Sequence, residues 1–372
     1  MNMPLVLLNR RRRGSVGYNP AGLFALNEPG IWLDPSDLTT MFQDRAGTTA
    51  VTTPGQSVGL RRDKSGRNNH AVANSDAARG IYGIEPLGGR RNILLNTTTM
   101  ATQNVTVTAV AHTLSFTGTG TVTLSGTSTA GPLVGTGAND RVSLTFTPTA
   151  GTLTLTISGS VTLAQLQIGS AFDAYQRVGT TQYDVTEAGK QTLHYVQYDG
   201  SDDGYVTPTI TPGIDKVQVF AGVRKLSDAA TGVVIEHSVT LNSNAGTFFL
   251  LAPNTTASTN AIFASKGSLP TFGSGGAADI GAAPVTSVLS GIGDIAADTS
   301  ILRRNGTQVA TSATDQGTGN FLAYPLYIGR RAGTSLPFNG RDYGIITRFG
   351  ANLDASTIAA TESWLNTKTG AF

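Results

Sequence analysis

Leu114-Ser-Phe-Thr-Gly-Thr-Gly-Thr-Val-Thr-Leu124 decides the fold of this 372-residue chain, because apolar and hydroxyl-bearing residues alternate along it. Successive side chains of a β-strand point to opposite faces. The pattern therefore puts Leu114, Phe116, Val122 and Leu124 on one side of a pleat and the Ser/Thr set on the other. The Thr117-Gly118-Thr119-Gly120 segment between the two apolar pairs reads as a turn. The same period continues outward in both directions, through Val105 and Val107 on one side. On the other it runs through Val142, Leu144 and Phe146, then Leu153, Leu155 and Ile157, then Val161 and Leu163. Thr is β-branched, so it suits an exposed pleat while keeping it soluble. Short strands separated by turn residues at this density predict a Thr-rich β-sandwich over residues 91–180, with its hydroxyl faces outward.

The flanks read differently. Residues 1–27 form an extended arm, in which Leu7 and Leu8 precede Arg10, Arg11, Arg12 and Arg13, with Phe24 further on. A secretory signal has its charges first, and no apolar run approaches the ~18 residues that span a bilayer. The expectation is a soluble protein made in the cytoplasm of its host cell without a signal peptide and without membrane insertion. Residues 28–90 are dense in turn pairs such as Pro29-Gly30, Asp34-Pro35 and Pro54-Gly55. They read as an adaptor packing on the C-terminal domain, with one short helix capped by Asp34 or Ser36 and running through Met41 and Phe42. Residues 181–372 form a second, less regular β region. It has candidate strands around Tyr195, Val219, Ile235, Phe249, Leu302, Tyr327 and Ile346, and a hairpin turn at Asn305-Gly306. Asp354 is placed to cap a terminal helix that carries Ile358 and Leu365 on one face and ends at Gly370. The fold class is all-β, with two β-sandwich or jelly-roll domains after an extended arm and one short C-terminal helix.

Composition removes several functions. Charged residues make up 13% of the chain, against roughly 25% in an ordinary globular protein, and the formal net charge is +2. A duplex-binding field needs clustered Lys and Arg, so nucleic acid is not an expected partner. Without Cys there is no disulfide, thiolate metal site or Cys nucleophile. Glycoside hydrolysis needs two placed carboxylates. The five glutamates, Glu28, Glu85, Glu187, Glu236 and Glu362, are scattered, and the neighbours Glu236 and His237 point to opposite strand faces. Gly273-Ser274-Gly275-Gly276 lacks the strand–helix context of a serine elbow. The chain reads as a non-enzyme. Asp199, Asp202 and Asp203 form a turn that could begin a Ca²⁺ site, which takes about six to eight oxygens; no other cofactor is expected. Arg330, Arg331, Arg341 and Tyr343 are candidate glycan-binding residues, because a guanidinium fork grips anionic sugars and a Tyr ring stacks on a pyranose face.

Three stretches carry a resemblance. Gly30-Ile-Trp-Leu-Asp-Pro-Ser-Asp-Leu38, with Phe42-Gln-Asp44 and Asp63-Lys-Ser-Gly-Arg67, resembles structural proteins of tailed bacteriophages. The Leu114–Leu124 region is similar to the fibre domain of phage head-spike proteins. Phe220-Ala-Gly-Val-Arg-Lys-Leu226, Arg304-Asn-Gly306, Leu326-Tyr-Ile-Gly329 and Phe338-Asn-Gly340 resemble the concanavalin A-like, laminin G-like jelly roll. The resemblance implies a virion-surface protein, a head or tail fibre, a spike or a capsid decoration, often a homotrimer. In that setting Leu7, Leu8, Arg10–Arg13 and Phe24 would anchor the arm to other virion proteins, and the sandwiches would attach to host-surface glycans. The alternatives are a decoration or cement protein without ligand, and a capsule-degrading glycosidase. Laminin G-like domains often bind calcium, which bears on the Asp199 turn.

Overall fold

The computed structural model describes residues 17–241, 243–269, 272–274 and 276–372. Lys216–Lys225, Val285–Asp294 and Asn339–Phe349 are buried on both faces, which requires cover on both sides. They form the centre of an eight-stranded antiparallel sheet, continued on one side by Thr299–Arg304 and Thr307–Ser312 and on the other by Thr192–Asp199 and Ile81–Pro86. Gly30–Leu33 also pairs with Asn339–Phe349. One face of this sheet meets a ten-stranded sheet across a shared core that includes Val219, Ile345, Phe248, Phe263 and Ile328. The other face is closed by the C-terminal helix Ala355–Thr369 and by a 3-10 turn at Pro20–Phe24. There Leu365, Leu23 and Phe24 pack on Trp32, Phe220 and Ile346.

Local signals behave as their chemistry dictates. Asp354 caps the helix by accepting from the Thr357 N–H at 2.7 Å, and Gly370 ends it in the left-handed region at φ 61°. Asn305 and Gly306 both take positive φ and join Thr299–Arg304 to Thr307–Ser312. Asn260–Lys266 and Val285–Asp294 are strands that alternation does not announce, since both are buried along most of their length.

The segment 28–90 supplies strands to both sheets. Gly30–Leu33 and Ile81–Pro86 belong to the eight-stranded sheet, while Met41–Phe42, Leu60–Arg61 and Ala71–Ala73 belong to the ten-stranded one. The expected helix through Met41 and Phe42 is absent. Asp37, rather than Asp34 or Ser36, caps a single 3-10 turn at Leu38–Thr40, and Met41 and Phe42 pair as strand with Arg61 and Leu60. The buried Met41 side chain is used in the sheet core, and tertiary packing overrides the cap signal.

The Thr-rich region is an insertion with its own core. A three-stranded sheet, Gly137–Phe146, His112–Gly118 and Thr162–Ile168, packs on a four-stranded sheet, Gln103–Val107, Gly151–Ser158, Thr121–Gly126 and Leu133–Val134. Leu114, Phe116, Val122, Leu124, Leu153, Leu155 and Leu166 fill the space between them. Two expectations fail here. A register shift between Thr162 and Gln165, with Leu163 at φ 49°, inverts the parity. Val161 and Ala164 are buried instead of Val161 and Leu163. The hydroxyl face of the three-stranded sheet is covered as well, and Thr113 and Ser115 are about 1% exposed or less. The strap after Ile168 lies over it. Thr113 Oγ1 donates to the Gly169 carbonyl at 2.8 Å, and Gln167 Nε2 donates to Asp173. The Arg141 guanidinium bonds Ser115 beneath the rings of Phe172 and Tyr175.

Candidate functional site

The sequence candidates are dispersed and mostly consumed by the fold. Tyr343 is 1% exposed; its hydroxyl donates to Glu85, and its ring packs with Leu193 and Tyr195. Burial raises its pKa well above the usual range for a phenol, followed in size by the charge of Glu85. That ring cannot stack on a sugar, so Tyr343 is corrected to a core residue. Arg341 spans Glu85 (2.7 Å) and Gln197 (3.1 Å) and lies over the Tyr195 ring. Arg331 bonds Glu236 at 2.6 Å, and Arg330 donates to the carbonyls of Asp202 and Thr334. Arg330 and Arg331 follow a strand of the ten-stranded sheet, whereas Arg341 and Tyr343 lie on one of the eight-stranded sheet. The four do not converge. Phe24 is corrected likewise: it is 2% exposed and buried against Trp32 and Phe220, which leaves no side chain to dock elsewhere. Leu7, Leu8 and Arg10–Arg13 lie outside the described residues.

The acidic turn does converge. Oxygens of Asp199, Asp202 and Asp203 lie within 4.8 Å of one another. Asp203 is nearly buried; desolvation, with the charges of Asp199 and Asp202 added, pushes its carboxyl up to about 7. Part of this oxygen set already serves the turn. Asp199 Oδ1 accepts from the Ser201 and Asp202 N–H groups, and Asp203 Oδ2 accepts from the Asp199 N–H. A Ca²⁺ ion here would use the oxygens that remain together with solvent.

The glutamates are all spoken for by arginines. Glu28 pairs with Arg348, Glu85 with Arg341, Glu187 with Arg91, Glu236 with Arg331 and Glu362 with Arg303, at 2.6–2.9 Å. A glycosidase general acid needs the opposite environment, an apolar pocket that keeps its proton on. Glu236 and His237 do diverge. The His237 ring lies in the core against Phe248 and Phe349, and desolvation depresses its pKa to about 3.

One open cleft of about 540 Å³ lies where the chain passes between the two sandwiches. Strand Ile81–Pro86 ends in a turn at Gly88 and Gly89, whose φ values of 100° and 82° suit glycine, and this turn delivers Arg90 and Arg91. Arg91 is tied to Glu187. Arg90 lines the cleft with Ile93 and Leu95; Gln103–Thr106 form a second wall and Gln182 a third side. Strand Gln103–Val107 is an edge strand of its sheet, so its outer side pairs with no other strand there. The crossing point is fixed by two fully buried amides. Asn92 donates to the carbonyls of Ala164 and Gln176, while Gln176 accepts from the backbone of Arg91 and donates to Gly89 and Glu187. Sequence reasoning missed Arg90. Its only signal is the Gly-Gly-Arg-Arg turn at the boundary between the two composition regimes.

No family model matches the chain, and no curated protein matches it. Among solved structures, the CBM40 of the Ruminococcus gnavus IT-sialidase bound to α2,3-sialyllactose aligns over 40% of this chain and 83% of its own, with 17% identity and a TM-score of 0.32. The binding domain of botulinum neurotoxin serotype D aligns over 46% of this chain and 42% of its own, with 10% identity and a TM-score of 0.36. The serotype D ligand-binding domain in complex with N-acetylneuraminic acid has the same coverage at 12% identity and a TM-score of 0.36. Similarity this low leaves the reading of function to the residues of the chain itself.

Proposed function

We propose that this chain is a non-enzymatic surface protein of a tailed-phage particle, a head or tail fibre, spike or decoration, whose β-sandwiches attach to host-surface glycans. The observation that supports this most is the junction cleft. It combines aliphatic walls, amide and hydroxyl groups and an open mouth on a rigid antiparallel scaffold, which is the composition a saccharide requires. Low charge and the absence of Cys fit a protein made in a reducing cytoplasm that then works outside the cell. Since Phe24 is used internally, docking to other virion proteins falls to Leu7, Leu8 and Arg10–Arg13. Assembly as a homotrimer would multiply weak single-site affinity into avidity. The test is adsorption. Purified chain is expected to bind selected glycans on an array and to compete with particles for host cells. An array left blank, with particle stability rather than adsorption lost on gene deletion, would replace this reading with a cement role.

A further inference from the structure

We propose that the junction cleft takes an acidic sugar, whose carboxylate is held by the guanidinium of Arg90; this rests on the glycan-binding reading and names the ligand class. Arg90 spends only its Nε inside the chain, on the Asn92 carbonyl at 2.7 Å. Its two terminal nitrogens have no partner among the described residues, and no carboxylate lies in salt-bridge range. The contrast with its neighbours is direct. Arg91 is neutralised by Glu187 and Arg341 by Glu85. Arg90 instead has its pKa lowered, chiefly by burial and then by the charge of Arg341, while Tyr195 acts in the opposite direction. A partly buried cation with no carboxylate in range, lining an open cleft, is an electrostatic arrangement that an incoming anion relieves.

The walls say what should carry the anion. Leu95, with the partly exposed Ile93 and Val105 that otherwise pack on the core of the insertion, offers aliphatic carbon, which suits the C–H face of a pyranose. Asn104, Thr106 and Gln182 are polar, and among the described residues the side chains of Asn104 and Gln182 have no hydrogen-bond partner. They can serve ring hydroxyls, as can the unpaired outer side of strand Gln103–Val107. A phosphate-rich polymer would want several cations, and among the described residues that line the cleft Arg90 is the single charged one. The guanidinium presents a planar, two-pronged donor set that matches one carboxylate. The Asn92 and Gln176 clamps hold the walls in place before any ligand arrives, which removes part of the ordering cost of binding.

The experiment uses the full chain and paired probes. A glucuronate-containing oligosaccharide is compared with its glucose counterpart, and sialyllactose with lactose, by ligand-observed NMR and calorimetry. At least one acidic probe is expected to bind about tenfold to hundredfold more tightly than its neutral partner, the range of one charge-assisted contact. Arg90→Gln is expected to bring it down to the neutral level with an unchanged melting curve, and Arg90→Lys to recover part of the difference. Free acetate and inorganic sulfate should compete only at far higher concentration than the sugar. Equal binding of acidic and neutral probes, or undiminished acidic binding by a folded Arg90→Gln variant, overturns the assignment of ligand class and leaves glycan binding standing. Absence of binding by every probe, extended to the full array, overturns both. Sulfate binding as well as the sugar would reduce the site to a general anion cradle and overturn the saccharide assignment.

Discussion

The inserted sandwich and its host are both two-layer β-structures, yet they are stabilised and encoded in different ways. The insertion buries polar groups that carry no carboxylate or Lys/Arg charge, among them Asn92, Thr113, Ser115, Gln165 and Gln176, and its four-stranded sheet keeps Thr106, Thr123, Ser125, Thr152 and Thr156 in solvent. The host buries its eight-stranded sheet on both faces, under the second sheet and under the terminal helix, and it places ions inside. Arg61 grips Asp342 through two bonds of 2.7 Å between the two sheets, each side chain 2% exposed, with the Tyr198 hydroxyl completing the carboxylate. The lesson is that period-2 alternation reports a sheet with one polar face. Where both faces are dry and apolar, the same secondary structure leaves no alternating trace, whereas the Leu114 strand, buried on both faces, still alternates because its second face is polar.

That comparison can be broken most forcefully at the ion pair. Asp342→Ala is expected to cost about 3–5 kcal/mol, because it strands the Arg61 charge between the sheets, whereas the double change to Met and Leu should recover most or all of it. Denaturant unfolding followed by probes in each domain measures this. The loss should appear in the host and leave the insertion nearly unmoved. Leu114→Ala is the converse, at about 3 kcal/mol through lost burial and a residual cavity, confined to the insertion. If both variants shift one shared transition equally, the two cores are not separate units.

A smaller effect concerns pH and belongs to the host alone. The folded protein keeps Asp203 protonated up to about 7, while the unfolded chain releases that proton near 3.8. Stability from this group is full below the lower value and is lost as pH rises through the upper one. Asp203→Asn should therefore match wild type in acid and melt on the order of a few degrees higher at pH 8. Calcium at millimolar concentration should raise the wild-type Tm at pH 8 and leave Asp203→Asn unmoved if the three carboxylates ligate it; equal response of both proteins would remove the metal from this turn. The finest comparison lies within the insertion. Thr113→Val removes a buried donor to the Gly169 carbonyl and should cost about 1 kcal/mol, while Thr123→Val on the wet face should stay within about 0.5 kcal/mol. Equal costs would mean that the strap does not cover its sheet in solution.

Legibility followed the physics of each region. The strands around Val122 and Leu155 could be read because each residue faces either oil or water, and the Leu114 strand because its second face, though covered, is polar. Val285–Asp294, buried at Val288, Leu289 and Ser290 alike, could not. The helix from Ala355 was readable because its caps are local: Asp354 and Gly370 act on backbone groups within one turn. The candidate site was the least readable part. Arg330, Arg331 and Arg341 look available in a list of residues, and their engagement with Asp202, Glu236 and Glu85 is set by partners 95 to 256 positions away. Arg90 carries the reverse lesson, since an unpaired cation is defined by where carboxylates are not.

By itself the sequence determined an all-β chain, an uncharged Thr-rich middle, a capped terminal helix and the exclusion of thiol chemistry, because these follow from periodicity, local capping and residue inventory. Only the tertiary structure decided that residues 28–90 complete the host sheets, that one hydroxyl face is roofed by its own strap, and that Arg90 stands in a cleft between domains without a counter-charge among the described residues. Those outcomes depend on which distant segments meet, and a pattern read along the chain has no term for them.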